Sequence, residues 1–426
     1  MADQYPIRPI NNDEYDAFRR VSGHAFNAGR PSAVRRERGW RQFETDRSLA
    51  AFDPSAPDSA GPVGTTGVYS LRMAVPGAVL PVAGVTAVSV LPTYRRRGIL
   101  RALMYRQLAD IAARGEEPIA ALWASETPIY GRYGYGRATE NAHFRFGRGE
   151  DALDAAAPAD PALTLRLVEP DGIAPELAKV YDTVLPGQPG FFARDDDWWE
   201  RVLDDQSRER PDAGPLRCLV AEDGAGIRGY AVYVTTERWD DAAGLPDGAI
   251  LIRELLATDP AASAALWHNL LSRDLVTEVT AELRTPDDPL LFQLLDPRRA
   301  RMRVSDGIWV RIIDVPGALR RRAYSCPVDV VLEVTDEILP GNAGRWRLTA
   351  AGSGSGSGSG AVSCTSATGP ADLTLGIREL GAVYLGGTRL GALAAAGLVR
   401  EHRPGAVGAL SAAMSWDPAP WCPRIF

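Results

Sequence analysis

The sequence predicts an α+β (mixed α/β) chain in three segments, residues 1–150, 151–314 and 315–426. Three observations carry this prediction. A β-branched strand, a turn and an apolar-striped helix occur in the same order twice, at Ala87–Met104 and Ile250–Leu271. The breaker-rich stretch GEDALDAAAPADPAL (Gly149–Leu163) separates the two. After WVRIIDVPGAL the character changes to short strands around a Ser-Gly repeat. A length of 426 residues fits about three domains of ordinary size.

The first segment opens with a short strand, Ile7–Ile10. Asn11 with Glu14 three residues on reads as a capping box, opening a helix through Tyr15, Phe18 and Val21. GTTGVYSLRMAV and VLPVAGVTAVSVLP are strands, rich in β-branched residues and parted by Pro-Gly. From Gly98 to about Ala113, Ile99, Leu100, Leu103, Met104, Leu108 and Ile111 keep helical spacing and give one face to the sheet. PIAALWAS is apolar throughout, as in a central strand. The second segment supplies RCLVAEDG, IRGYAVYVTT and AILIRELLAT as strands and a helix from Pro260 to Leu271. In the third, VDVVLEVTDE and RWRLTA are strands, and SGSGSGSG (Ser353–Gly360) is a flexible hairpin tip that cannot bury enough to order itself. ADLTLGIRELGAVYLGG and LGALAAAGLV add strand and helix before the aromatic tail WCPRIF.

Composition narrows the function. With 45% hydrophobic and 24% charged residues this is an ordinary globular chain. No window reaches the ~18 apolar residues of a membrane span, and no signal peptide is legible at the N-terminus, so a cytoplasmic location is expected. A net charge of −7 argues against nucleic acid. Cys218, Cys326, Cys364 and Cys422 are scattered, so neither a zinc site nor a disulfide framework is implied. Lys179 is the sole lysine, a bias explained by high-G+C codon usage. It has no glycine loop before it, which leaves a P-loop or Schiff-base mechanism without its lysine.

AVSVLPTYRRRGILRALM (Ala87–Met104) is the most informative run. A strand ends, three arginines and a glycine follow, and a helix begins. Backbone amides at that helix N-terminus, its dipole and the arginines converge on one spot, which suits a pyrophosphate. A side chain at Gly98 would hold the phosphate off the backbone. The pattern V-x-V-x-P-x-x-R-R-R-G-I resembles the acetyl-CoA motif of the GCN5-related N-acetyltransferases (GNAT). Together with LWASETPIYGRYGYGRAT (Leu122–Thr139), a degenerate second copy and an aromatic C-terminus, the chain resembles the Eis (enhanced intracellular survival) family along its whole length.

That resemblance implies tandem GNAT folds, the first active and the central one degenerate, followed by a sterol-carrier-protein-like domain. It implies acetyl-CoA as cosubstrate, no metal, and a hexamer. Val88, Ser89 and Val90 would hold the pantetheine arm. Arg96, Arg97, Gly98, Ile99, Leu100 and Arg101 would cradle the pyrophosphate, and Ser125 and Glu126 would line the same site. Tyr130 matches the family's general acid, and Phe426 the terminal residue whose carboxylate is the general base. Burying Phe426 draws that carboxylate out of bulk water, which is costly unless a task awaits it, and raises its pKa from a reference near ~3.5. Tyr133 and Tyr135 read as packing residues, while Gly131, Gly134 and Gly136 permit unusual dihedrals and close backbone approach.

In the second copy TDPAA stands where the first has YRRRG. Asp259 caps the helix and Pro260 opens it. A carboxylate there repels phosphate, so this fold is expected to lack coenzyme A. His268 on the same helix reads as a packed residue, and His24 as an edge of the substrate pocket. Phe26 and Trp40 fit a pocket wall or the core equally. Family members acetylate amines, including aminoglycosides and some lysine side chains. Polycationic sugars need acidic neighbours, but here Ile425 precedes the terminal Phe; Glu14 or Glu401 could substitute. A lipid carrier with an acquired acetyltransferase fold, or a coenzyme-binding but inactive regulator, stands as the alternative.

Overall fold

The computed structural model describes residues 4–57, 60–149, 153–206, 214–352 and 362–426. The N-terminal segment contains β1 (Ile7–Pro9), α1 (Tyr15–Ala25), α2 (Ala33–Arg41), β2 (Leu49–Ala51), β3 (Gly64–Val75), β4 (Ala78–Val90), α3 (Ile99–Arg114), β5 (Ile119–Trp123), α4 (Thr127–Tyr130) and β6 (Gly136–Arg137). The Glu14 carboxylate accepts the Asn11 N–H at 2.8 Å, closing the expected cap over a 3-10 turn that runs into α1. Glycines in the left-handed region bound α3 at both ends, Gly98 at φ +84° and Gly115 at φ +68°, as a helix flanked by tight turns requires.

The central segment contains β7 (Glu140–Gly147), β8 (Thr164–Val168), α5 (Ala174–Val184), α6 (Asp196–Val202), β9 (Leu216–Asp223), β10 (Gly226–Thr236), β11 (Gly248–Ala257), α7 (Pro260–Leu271), β12 (Val276–Arg284), α8 (Leu290–Gln293), β13 (Arg303–Asp306) and β14 (Ile308–Ile312). The C-terminal segment adds α9 (Val315–Arg320), β15 (Val328–Thr335), β16 (Gly344–Ala350), β17 (Ser363–Ser366), β18 (Leu373–Gly376), α10 (Ile377–Val383), α11 (Leu390–Ala395), β19 (Val399–Glu401) and α12 (Ala406–Met414). The Ser-Gly repeat lies outside the described residues; the strands on either side pair antiparallel, with Leu348 opposite Cys364.

Among the described residues three sheets result: β1-β2-β3-β4-β5-β14-β6, β13-β7-β12-β11-β10-β9-β8, and β17-β16-β15-β18-β19. The chain therefore leaves the first sheet after β6 and returns to it as β14. One compact unit comprises residues 1–138, 308–417 and 426; the other comprises 139–307 and 418–425. Glu140–Gly147 is a strand of the second sheet and Ile308–Ile312 a strand of the first. Sheet partnership is a non-local choice that breaker residues do not record.

Within the first unit, α3 buries Leu103, Met104, Leu108 and Ile111 against the sheet. Met104, Leu108 and Ile111 pack with Val68, Ala83, Val85, Ala120 and Leu122, and Leu103 with Leu49, Ala51 and Val63. Within the second unit, Leu266, Trp267 and Leu270 of α7 pack on Ile250, Ile252, Leu255 and Phe144 in the same manner. No helix among the described residues is long and apolar enough to cross a membrane.

Candidate active site

β4 and β5 pair in parallel only at Val82–Ile119, Ala83–Ala120 and Gly84–Ala121. Beyond Gly84 the two strands part. β4 continues to Val90 on β3 alone, through a bulge at Ala87, where φ is +51° and the register jumps from Gly67–Thr86 to Thr65–Ser89. A bulge bends its strand and leaves groups unpaired. The parted strand ends and the α3 N-terminus wall a cleft of about 570 Å³.

Val88, Ser89 and Val90 line it from β4; Arg96, Gly98, Ile99, Leu100 and Arg101 from the turn and helix start; Ser125, Glu126 and Tyr130 from beyond β5. Arg96 (φ +62°) and Gly98 (φ +84°) both lie in the left-handed region, a backbone path that gathers successive N–H groups into an anion-binding concavity. A Cβ built on Gly98 meets nothing within 4 Å, so its glycine is required by dihedral angle and would otherwise put a side chain into open cleft. Arg97 is the exception among the expected cradle residues. Its guanidinium bonds the Tyr5 hydroxyl at 3.1 Å and the Thr93 carbonyl at 3.2 Å and stacks on Tyr94 at 4.7 Å, leaving its backbone N–H to offer. Amide groups, cationic side chains and an apolar groove fit acetyl-CoA, whose pyrophosphate would sit at the α3 N-terminus.

Tyr130 lines the cleft and is 4% exposed. Burial pushes its hydroxyl up to about 12, partly countered by a hydrogen bond with Ser125. The turn after it is held by the C-terminal part of the same unit. A Cβ on Gly136 would lie 2.1 Å from the Arg378 carbonyl oxygen, and one on Gly134, at φ +81°, 2.7 Å from Arg311 Nε. Close approach, expected from three glycines, is thus what Gly134 and Gly136 provide. Arg311, fully buried, donates from Nε to the Tyr133 carbonyl (2.8 Å) and from Nη2 to both carboxylate oxygens of Asp336 (2.8 Å each). Asp336 in turn accepts from the N–H groups of Ile338 and Leu339 and from Asn342. Tyr135 is packed as expected, while Tyr133 both packs and lines the cleft.

Phe426 is half-buried rather than enclosed, and its ring edge lies 3.3 Å from where a Gly84 Cβ would be. Ala83 and Val85 face α3 in a cluster that includes Tyr130. Successive strand residues face opposite ways, so Phe426 and Tyr130 approach the splay from opposite faces of the sheet. Buried in the tail are instead Pro420, Trp421, Cys422 and Pro423.

Residues 6–138 and 190–312 each match a family described as an acetyltransferase (GNAT) domain, and residues 315–423 match a sterol carrier protein domain. An uncharacterized N-acetyltransferase of Streptomyces avermitilis is 40% identical over 421 residues, 99% of each chain. N-acetyltransferase Eis of Mycobacterium bovis is 34% identical over 389 residues, 89% of each chain. The crystal structure of Eis1 from Mycobacterium abscessus superposes with a TM-score of 0.80 at 33% identity, covering 99% of this chain and all of that one. The chain belongs to the Eis family of N-acetyltransferases. Its mixed α/β architecture of two GNAT folds and a sterol-carrier-like domain is as the sequence predicts.

In this Eis-family chain the second GNAT fold repeats the splay and the bulge, between Glu254 and Ile252 opposite Val232 and Tyr233. Its helix N-terminus is already filled. The Asp259 carboxylate accepts the N–H groups of Ala261 and Ala262 at 3.0 Å each, and Arg228 bonds Asp259, Asp160 and Asp223. His268, expected to be packed, is exposed in the last turn of α7, because the buried stripe is carried by Leu266, Trp267 and Leu270. Near the first cleft, Ala25, Phe26 and Asn27 form a wall and His24 does not. Trp40 packs on Tyr15 and Phe43 instead. The substitute acids are engaged: Glu14 by Arg8 at 2.7 Å, Glu401 by the Val407 N–H.

Arg95, Asn27, Ile129 and Arg132 also line the cleft without having been singled out from sequence. Arg95 stood within the legible arginine run. Asn27, at φ +53° just past a helix, carried the ordinary signal of a helix C-terminus. Nothing local distinguished Ile129 or Arg132. Among the described residues no group of His, Cys, Asp or Glu side chains is placed to hold a metal ion.

Proposed function

We propose that this Eis-family N-acetyltransferase moves the acetyl group of acetyl-CoA directly to a primary amine, with Tyr130 as general acid and the main-chain carboxylate of Phe426 as general base. One observation supports it most: Tyr130 and Phe426 flank the point where β4 and β5 part, one on each face of the sheet. An amine nitrogen must lose a proton as it bonds the acyl carbon, and the thiolate leaving as the C–S bond breaks must gain one. A carboxylate on one face can take the first proton and a hydroxyl on the other can give the second. Burial keeps Tyr130 protonated throughout the neutral range, so a donor always faces the sulfur. Arg96, Arg101 and the α3 amides hold the phosphates, and the apolar β4 edge excludes water from the pantetheine arm.

The acceptor class is broad: aminoglycosides, other small amines and lysine side chains belong to the proposal, as does a hexameric, cytoplasmic enzyme. The test is acetyl-CoA turnover with a panel of amines, aminoglycosides included, on the wild type, Tyr130→Phe, and a chain lengthened by a few residues beyond Phe426. Turnover in the wild type and its loss in both variants, with acetyl-CoA affinity retained, is expected. A wild type inert towards every amine overturns the enzymatic reading.

A further inference from the structure

We propose that the central, degenerate fold is a receptor for a peptide, and that its occupant is the chain's own segment Pro418–Ile425. The segment carries no helix or strand, yet it is bound along its length as a docked linear peptide would be. Trp421, 4% exposed, is the anchor. Its ring meets Phe191 edge-on at 5.0 Å, and the Arg284 guanidinium lies 5.1 Å from its centre. Its N–H donates to the Pro189 carbonyl at 3.1 Å. Two residues earlier, Gln188 donates to the Ala419 carbonyl at 2.8 Å and the Ala419 N–H reaches Asp287 at 3.3 Å. Three residues later, the Arg424 guanidinium bonds the Arg201 carbonyl and feels the buried Glu254 carboxylate. An aromatic anchor in a pocket, backbone hydrogen bonds and one charge are the usual components of peptide recognition.

The groove is shaped for main chain. Gly190 has φ +97°, and a Cβ there would lie 2.4 Å from the Trp421 carbonyl oxygen; a backbone contact that tight admits only glycine. The groove's face is also informative. Ile250, Ile252 and Leu255 of β11 pack towards α7, so Glu254 points the other way. With its phosphate position filled by Asp259 and its opposite face holding this segment, the second fold has exchanged cofactor chemistry for peptide binding.

Any consequence for turnover rests on the reading of Phe426 above, so the test reads binding. Amide hydrogen exchange on the full-length chain should show the Trp421 N–H protected at least about a hundredfold over a free peptide. Gly190→Ala should lower protection across 418–425 by at least about tenfold while β9, β10 and β11 keep theirs. In full-length Trp421→Ala, whose segment should be loosened, a synthetic peptide of residues 418–426 should bind one per chain, and the same peptide with Ala for Trp should bind at least about thirtyfold more weakly. Unprotected tail amides in the wild type overturn the proposal. So does unchanged tail protection in Gly190→Ala, or a peptide that fails to bind the Trp421→Ala chain.

Discussion

Tyr130 draws its properties from a few neighbours. Its hydroxyl is desolvated by the packed cluster around it, which favours the neutral form and raises its pKa to about 12. The proton is therefore held at all lower pH and lost only as pH rises through that value. No alkaline fall in kcat from Tyr130 should appear in a profile from pH 6 to pH 10; a fall centred near the free-tyrosine value of about 10 would contradict the burial. Tyr130→Phe should cost about 10²–10⁴-fold in kcat, with the acetyl-CoA Kd unchanged by calorimetry. Gly84 is the second residue of interest. A Cβ there falls 2.5 Å from Leu71 Cδ1 and 3.3 Å from the Phe426 ring. If the Phe426 carboxylate acts as the proposed base, Gly84→Val should lower kcat by about tenfold or more with little change in acetyl-CoA affinity, because a misplaced base costs rate before binding.

Between elements, one buried ion pair ties β14 to the stretch after β15. Arg311 and Asp336 are 0% and 1% exposed as side chains, and each has additional partners. Removing one member leaves a buried charge unanswered. Asp336→Asn or Arg311→Met should therefore destabilise the chain by about 3–5 kcal/mol, read as a lowered denaturant midpoint. Gly136→Ala attacks the same junction by backbone collision with Arg378 and Ala382 and should be comparably harmful. A thermal midpoint unchanged in all three variants would show that the β14–α10 region does not depend on these contacts. The capping box at Asn11, the α3 start and the full extent of α7 were all legible beforehand, since each is written in adjacent residues. The Arg311–Asp336 pair was not: its members are twenty-five positions apart and neither belongs to a recognisable motif.

At the scale of the molecule, two GNAT folds differ at the one place that matters for a phosphate. The first presents open amides between Arg96 and Arg101. The second caps its amides with Asp259 and neutralises Arg228 with three carboxylates. Calorimetry should give one acetyl-CoA per chain; two equivalents would refute the distinction. Asp259→Ala should cost about 1 kcal/mol of stability as a lost cap without creating a second strong site, since Asp160 and Asp223 stay beside Arg228.

The family, the order of the folds and the cleft's principal residues were determined by sequence alone, because a strand, an arginine-glycine turn and a helix start are contiguous and carry their chemistry locally. The exchange of β7 and β14 between sheets, the seat of Phe426 at Gly84 and the groove that holds Trp421 were decided only by the tertiary structure. Each depends on which distant surfaces meet. Burial and close backbone approach are properties of pairs of segments, and no single stretch of sequence contains both members.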